Sequence, residues 1–161
     1  MNLRSLTLLA AVLLVAACAE DQTNKGAATS TGGAAPTTAA AVQPGSEQDL
    51  QQNVGDRVFF DYDKSDIKAE GRQVLQRQAD WLKKYPNVTV TVEGHCDERG
   101  TREYNLALGE RRANAVKKML VALGVAANRV STISYGKERP AVVGSTEAAW
   151  AQNRRGVTVV N

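Results

Sequence analysis

Val88 to Glu93 reads Val-Thr-Val-Thr-Val-Glu, with a branched apolar side chain at every second position. Period two is the signature of a strand with one buried face. A sheet with one apolar face needs a second layer to cover it, and two amphipathic segments flank this strand. The first runs from about Asp66 to Tyr85, with Val74, Leu75, Ala79 and Leu82 at helical spacing. Ser65 or Asp66 is placed to cap it, and Pro86 stops it. The second runs from about Arg102 to Leu123, with an apolar stripe of Leu106, Ala113, Val116, Leu120 and Leu123 and with Gly124 as its terminating residue. Arg57–Phe60, Val130–Ser134 and Val157–Val160 read as further short strands, and Ser145–Gln152 as a short helix. The order β-α-β-α-β-α-β predicts an α+β fold, a two-layer α/β sandwich whose mixed sheet carries its helices on one face. No internal repeat is visible.

The amino-terminal third has a different chemistry. Arg4 precedes an apolar stretch from Leu6 to Ala17, too short for the roughly 20 residues of a membrane span. The stretch ends in the small residues Ala16 and Ala17, directly before Cys18. This is the pattern of a secretory signal over residues 1–17. Val15-Ala16-Ala17-Cys18 resembles a bacterial lipobox, in which the Cys thiol is alkylated with diacylglycerol and the new amino group acylated after cleavage. Several acyl chains anchor stably where one binds only marginally. From Gly26 to Gln43 there is no charge and no large apolar side chain, so this stretch cannot offset its own ordering entropy. Residues 18–52 therefore read as a lipidated amino terminus and flexible linker, reaching roughly 30–35 Å. Residues 53–161 read as one domain.

The chain has two cysteines, so lipidation of Cys18 leaves Cys96 without a disulfide partner. The net charge of +3 on 161 residues, in an exported protein with no run of more than two basic residues, argues against nucleic acid as a partner.

Chemistry-bearing residues cluster in Glu93-Gly94-His95-Cys96-Asp97-Glu98-Arg99-Gly100-Thr101, in Tyr104-Asn105 and in Leu108-Gly109-Glu110-Arg111-Arg112-Ala113-Asn114-Ala115-Val116. Together with Val58–Ser65, Ser134–Pro140 and Asn153-Arg154-Arg155, this pattern resembles the peptidoglycan-associated lipoproteins. More broadly it resembles the carboxy-terminal domain of outer membrane protein A and its relatives. The resemblance covers essentially all of residues 54–161. It departs at Cys96, where the family usually has Ala or Thr.

The resemblance implies a non-enzymatic binding protein of the outer membrane, lipid-anchored and facing the periplasm. Its ligand would be the peptidoglycan stem peptide, gripped through meso-diaminopimelate. It would tether membrane to cell wall and act with the Tol system, including the propeller protein TolB, in envelope integrity and constriction at division. The diaminopimelate side chain ends in an ammonium and a carboxylate on one carbon. The matching residues are Asp97 for the ammonium and Arg112 for the carboxylate, with Asp63, Arg99, Thr101 and Leu108 as further contacts. A planar guanidinium suits a carboxylate because it donates two parallel hydrogen bonds.

Helical spacing independently puts Asn105, Leu108 and Arg112 on one face, distinct from the apolar stripe, so Arg112 is expected to point away from the main core. The start of this helix also offers free N–H groups to an anion. Arg111, Arg154 and Arg155 read as structural pairs or partner contacts.

His95 is the only histidine. If the strand continues through Gly94, then Glu93, His95 and Asp97 face one side and Cys96 the side of the valines. That parity divides any metal cluster or Cys–His pair and makes Cys96 a buried small hydrophobe. No metal and no cofactor is expected. The alternative functions are a cell-wall hydrolase, for which no catalytic constellation is visible, and a stator-type wall anchor, which would need a spanning helix.

Overall fold

A computed structural model describes residues 42–161. The signal, the lipobox with Cys18 and most of the linker lie outside the described residues. The element order is α1 (Glu47–Asp49), continued by a π-helical turn over Leu50–Val54, then β1 (Arg57–Phe59), α2 (Ala69–Lys84), β2 (Val90–His95), α3 (Arg102–Ala122), a 3₁₀ turn at Ala127–Arg129, β3 (Val130–Gly136), α4 (Glu147–Asn153) and β4 (Arg155–Val160).

The four strands form one mixed sheet in the order β1-β4-β2-β3. β4 runs antiparallel to both β1 and β2, while β2 and β3 are parallel. Val58, Val90, Val92 and Val130 on the sheet pack with Leu75, Ala79 and Leu82 of α2 and with Ala113, Val116 and Leu120 of α3 in one apolar cluster. The two-layer α+β reading holds, with α2 and α3 on one face. The bounds differ by a few residues. β2 begins at Val90 and runs on through His95, and α2 starts at Ala69, capped by the backbone of Lys68 with no side-chain bond. Neither Ser65 nor Asp66 caps it, because the helix is entered only after Lys68, whose backbone is extended.

The packed region also begins earlier than composition suggests. Composition places the end of the linker at residue 52, yet Leu50 is fully buried in the main cluster. Ser46 caps α1 by accepting from Asp49 N at 3.2 Å. Asp49, itself buried, accepts from Gly45 N at 2.8 Å, from Asn53 Nδ2 at 2.8 Å and from Trp81 Nε1 at 2.9 Å. Glu47 Oε2 accepts from Val160 N at 2.6 Å. A polar stretch with one leucine carries no periodicity, and only the tertiary partners in α2 and β4 order it.

One backbone contact sets the height of α3 above the sheet. A Cβ on Gly94 of β2 would stand 1.9 Å from Gly109 O, and one on Gly109 would stand 2.3 Å from Ser134 Oγ. Only glycine at both positions lets helix and strands touch backbone to backbone. The amino-terminal half of α3 thereby lies directly over the end of β2.

Candidate functional site at the carboxy ends of β1 and β2

Three segments converge at one end of the sheet: the Phe60–Lys64 loop after β1, the Cys96–Thr101 loop after β2, and the first turns of α3. Between them lies a cleft of about 150 Å³, lined by Tyr62, Asp63, Cys96, Asp97, Arg99, Gly100, Tyr104, Asn105, Leu108 and Arg112. Of the residues read from sequence, the fold brings Asp63, Asp97, Arg99, Leu108 and Arg112 to this cleft. Thr101 is not among its lining. Its Oγ1 accepts from Tyr104 N at 3.2 Å, so its hydroxyl caps α3.

Asp97 is 4% exposed. Its Oδ1 accepts from the backbone N and the Nε of Arg99, both at 3.1 Å, and its Oδ2 accepts from Arg99 Nη2 at 2.6 Å. Arg154 Nη1 approaches Oδ2 from the protein side at 3.4 Å. Burial pushes the carboxyl up, but the hydrogen bonds from Arg99 and Arg154 outweigh it and hold Asp97 below the usual carboxylate range. The Arg99 guanidinium lies between two rings, 4.1 Å from the centre of Tyr62 and 3.9 Å from that of Trp150. Such a sandwich favours a cation on both faces.

Arg112 corrects the expectation that it points away from the core, because it is completely buried. Nε donates to Lys64 O at 2.8 Å, Nη1 to His95 O at 2.8 Å and Nη2 to Asp61 O at 3.1 Å, over the ring of Phe60. The guanidinium thus staples the loop after β1 to the end of β2. Asn105, Leu108 and Arg112 do share a face and all reach the cleft, but that face is not distinct from the apolar stripe: with Ala113, Val116 and Leu120 they form one continuous buried face. What the helical spacing could not show is that two loops fold over that face. Burial lowers the Arg112 pKa from its ordinary value, yet a guanidinium remains charged.

Asp63 sits in the left-handed region with φ 56°, which Asp tolerates better than most residues. It accepts a hydrogen bond from the Tyr104 hydroxyl. Asn105 Nδ2 donates to Arg99 O at 2.8 Å and to Thr101 O at 3.0 Å, and Lys137 Nζ donates to Glu98 O at 3.1 Å and to Gly100 O at 2.7 Å. These bonds fix the loop that carries Asp97.

Cys96 is 2% exposed and on the helix side, its Sγ 3.3 Å from Asn105 O. Burial pushes the thiol up to about 11, which leaves it a poor nucleophile. His95 lies on the other side, tilted against Tyr135 with ring centres 5.6 Å apart. The parity read from the sequence therefore separates His95 from Cys96, but it does not extend to Asp97, because β2 ends at His95 and Asp97 lines the cleft together with Cys96. Glu93 Oε2 lies 3.4 Å from His95 Nε2, but neither ring nitrogen makes a hydrogen bond. Burial and the nearby Arg155 push His95 down to about 4. Among the described residues, no group of three or more His, Cys, Asp or Glu is placed to hold a metal ion, and no helix is long and apolar enough to cross a membrane.

Sequence reasoning missed the aromatic members Tyr62, Tyr104 and Trp150, and the role of Arg154. Trp150 lies about fifty residues from Arg99 in sequence, and only the turn of α4 onto the loop unites them.

The OmpA family model matches residues 59–154. Peptidoglycan-associated lipoproteins of Brucella melitensis and Agrobacterium fabrum are 58% and 61% identical to this chain. They match over 75% and 73% of its length and 72% and 66% of their own. The crystal structure of the peptidoglycan-associated lipoprotein from Burkholderia pseudomallei superposes with TM-score 0.64 at 43% identity, covering 66% of this chain and 90% of that one. The carboxy-terminal domain of Helicobacter pylori MotB superposes with TM-score 0.62 at 25% identity, over 66% of this chain and 84% of that one.

Proposed function

The chain belongs to the OmpA family, and on that premise we propose that it is a peptidoglycan-binding lipoprotein of the outer membrane. Its folded domain faces the periplasm and is held to the membrane by acyl chains on Cys18. It grips the diaminopimelate end of the stem peptide non-covalently and without catalysis. In this role it ties membrane to wall and works with the Tol system, through TolB, in envelope integrity and constriction at division.

The observation that carries the reading is a buried acid and a buried base opening onto one cleft. Asp97 receives the ligand ammonium in place of the Arg99 fork, which is the more exposed of its two cations. Arg99 then turns to the ligand carboxylate. Arg112 uses three of its five N–H donors on backbone carbonyls, which leaves one on each terminal nitrogen for the same carboxylate. Asp63 offers a second oxygen to the ammonium. Leu108 is the apolar wall for the methylene chain, and Thr101 contributes by holding the helix start in place.

The test is calorimetric titration with a stem peptide ending in diaminopimelate, beside the same peptide with lysine there. Lysine keeps the ammonium and lacks the carboxylate. The diaminopimelate peptide is expected to bind at least about ten-fold more tightly, since a charge-assisted pair contributes roughly 1.5–3 kcal/mol. Equal affinity for the two peptides sinks the zwitterion reading.

A further inference from the structure

Asp97 has two cationic partners of different character. Arg99 stands two residues away on the same loop, with its side chain 29% exposed. Arg154 comes from the junction of α4 and β4, with its side chain 7% exposed. The second is fixed on every side. Its own carbonyl accepts from Phe60 N at 2.9 Å. Its Nε donates to Phe60 O at 3.1 Å and its Nη2 to Glu147 Oε1 at 2.6 Å. Glu147 is largely exposed, on the first turn of α4. The remaining arm, Nη1, stands 3.4 Å from Asp97 Oδ2. At that length it attracts the carboxylate while leaving its lone pairs open to closer donors.

A ligand ammonium that displaces the Arg99 side chain removes the two guanidinium hydrogen bonds that orient Asp97 and leaves the bond from the Arg99 backbone N–H to Oδ1. Among the described residues, the side-chain contact that then remains is Arg154. Without Arg154, Oδ2 would keep no fixed side-chain partner during the exchange, and a buried carboxylate oxygen left unpaired favours turning or taking up a proton.

We propose that Arg154 is the positioning residue for Asp97: clamped by Glu147 and Phe60 O, it holds the carboxylate in place while Arg99 exchanges with the ligand. The proposal rests on the reading of Asp97 as the ammonium receptor. It gives α4 a role in recognition through Glu147 and Arg154, in addition to Trp150.

The test is a double-mutant cycle on the full acylated protein in detergent, titrated with the diaminopimelate stem peptide. Arg154→Gln is expected to weaken binding about ten-fold, the loss of one charged hydrogen-bond partner. In an Asp97→Asn background the same change is expected to cost less than about two-fold, because a residue acting through Asp97 has nothing left to act through. Arg154→Lys, which keeps the charge, is expected to recover some of the loss. If Arg154→Gln does not fold, the cycle is run with Arg154→Lys, where a several-fold loss confined to the Asp97 background is expected. An equal loss in both backgrounds, or a lower melting temperature with unchanged affinity per folded molecule, overturns the proposal. If Asp97→Asn alone leaves affinity intact, the receptor reading itself falls and takes the positioning role with it. If Asp97→Asn loses affinity and Arg154 variants do not, only the positioning role falls.

Discussion

Of the three buried aspartates among the described residues, Asp49 and Asp97 sit at opposite ends of this domain, and their partners differ in kind. Asp49 and Asp97 are 8% and 4% exposed. Asp49 is met by neutral donors fixed in the fold: a backbone N–H, an amide and an indole. Asp97 is met by two guanidiniums, one locked and one on a partly exposed loop. Both carboxyls are held below the ordinary range: Asp49 first by the Asn53 and then the Trp81 hydrogen bond, Asp97 against its own burial. A carboxylate satisfied by immobile neutral groups is a joint. One satisfied by a displaceable cation can exchange that cation for another, which is what a receptor for an ammonium requires. Burial alone does not tell the two apart, but the exposure and charge of the partner do.

The largest expected effect separates them directly. Asp97→Asn should weaken stem-peptide binding by roughly thirty-fold or more, as truncating a buried charge pair costs about 2–5 kcal/mol. Asp49→Asn should leave that affinity unchanged. Calorimetry on both variants decides it, and a binding loss at Asp49 would erase the distinction. Arg112→Ala is a poor probe here. It abandons three carbonyls at once and should destabilise the fold as well as weaken binding.

The reciprocal measurement is stability. Leu50→Ala, beside the Asp49 joint, should cost about 2–5 kcal/mol as a fully buried leucine. Asp49→Ala should cost about 1–3 kcal/mol by leaving the Trp81 N–H unpartnered. Urea unfolding checks both. A negligible cost would return α1 to the linker.

Acid should act on the fold before it acts on the acid of the cleft. His95 faces Arg155, Arg139, Arg57, Glu93 and Tyr135, and is held near 4. Above pH 6.5 the ring is neutral in both states and costs nothing. Between 6.5 and about 4 only the unfolded chain takes up the proton, so stability falls by up to about 3 kcal/mol. Below about 4 the loss levels off. Asp97 stays ionised over most of this range, so affinity per folded molecule should hold while the unfolding midpoint drops. Wild type and His95→Gln, unfolded at pH 7 and pH 4, should differ in slope. Identical slopes would show that His95 is not the group responsible.

The smallest effect belongs to Cys96, which lines the cleft beneath Asp97. Its thiol, at about 11 against an ordinary 9.0, should react with maleimide about a hundred-fold more slowly than in the unfolded chain. A native rate equal to the denatured one would mean that the cleft floor opens.

Much of this was legible in the sequence where one period repeats. Val90 and Val92, the stripe of α3 and the order of elements are local patterns, and the sheet follows from them. The shared face of Asn105, Leu108 and Arg112 is likewise a matter of helical spacing. α1 was not legible, because Ser46, Asp49 and Leu50 acquire order only from Trp81 and the core. The state of Arg112 was not legible either, since its three acceptors come from residues 17 to 51 positions away. The cation sandwich of Tyr62, Arg99 and Trp150 and the brace of Arg154 belong to the same class. They are made by loops that meet only once the sheet has formed.

The bond from Val160 N to Glu47 bears on how this domain would carry load. It attaches the incoming chain at the finish of β4, while the cleft opens where β4 begins and β2 ends. A pull between residue 42 and a seated ligand therefore runs along the strands, over roughly 20 Å of ladder. The β2–β4 hydrogen bonds then resist together, as in shear, and are not opened singly like a zip. Force spectroscopy along this axis should give a higher rupture force than pulling β1 sideways from its edge. For the tethering role proposed above, this is the axis along which the domain would be loaded.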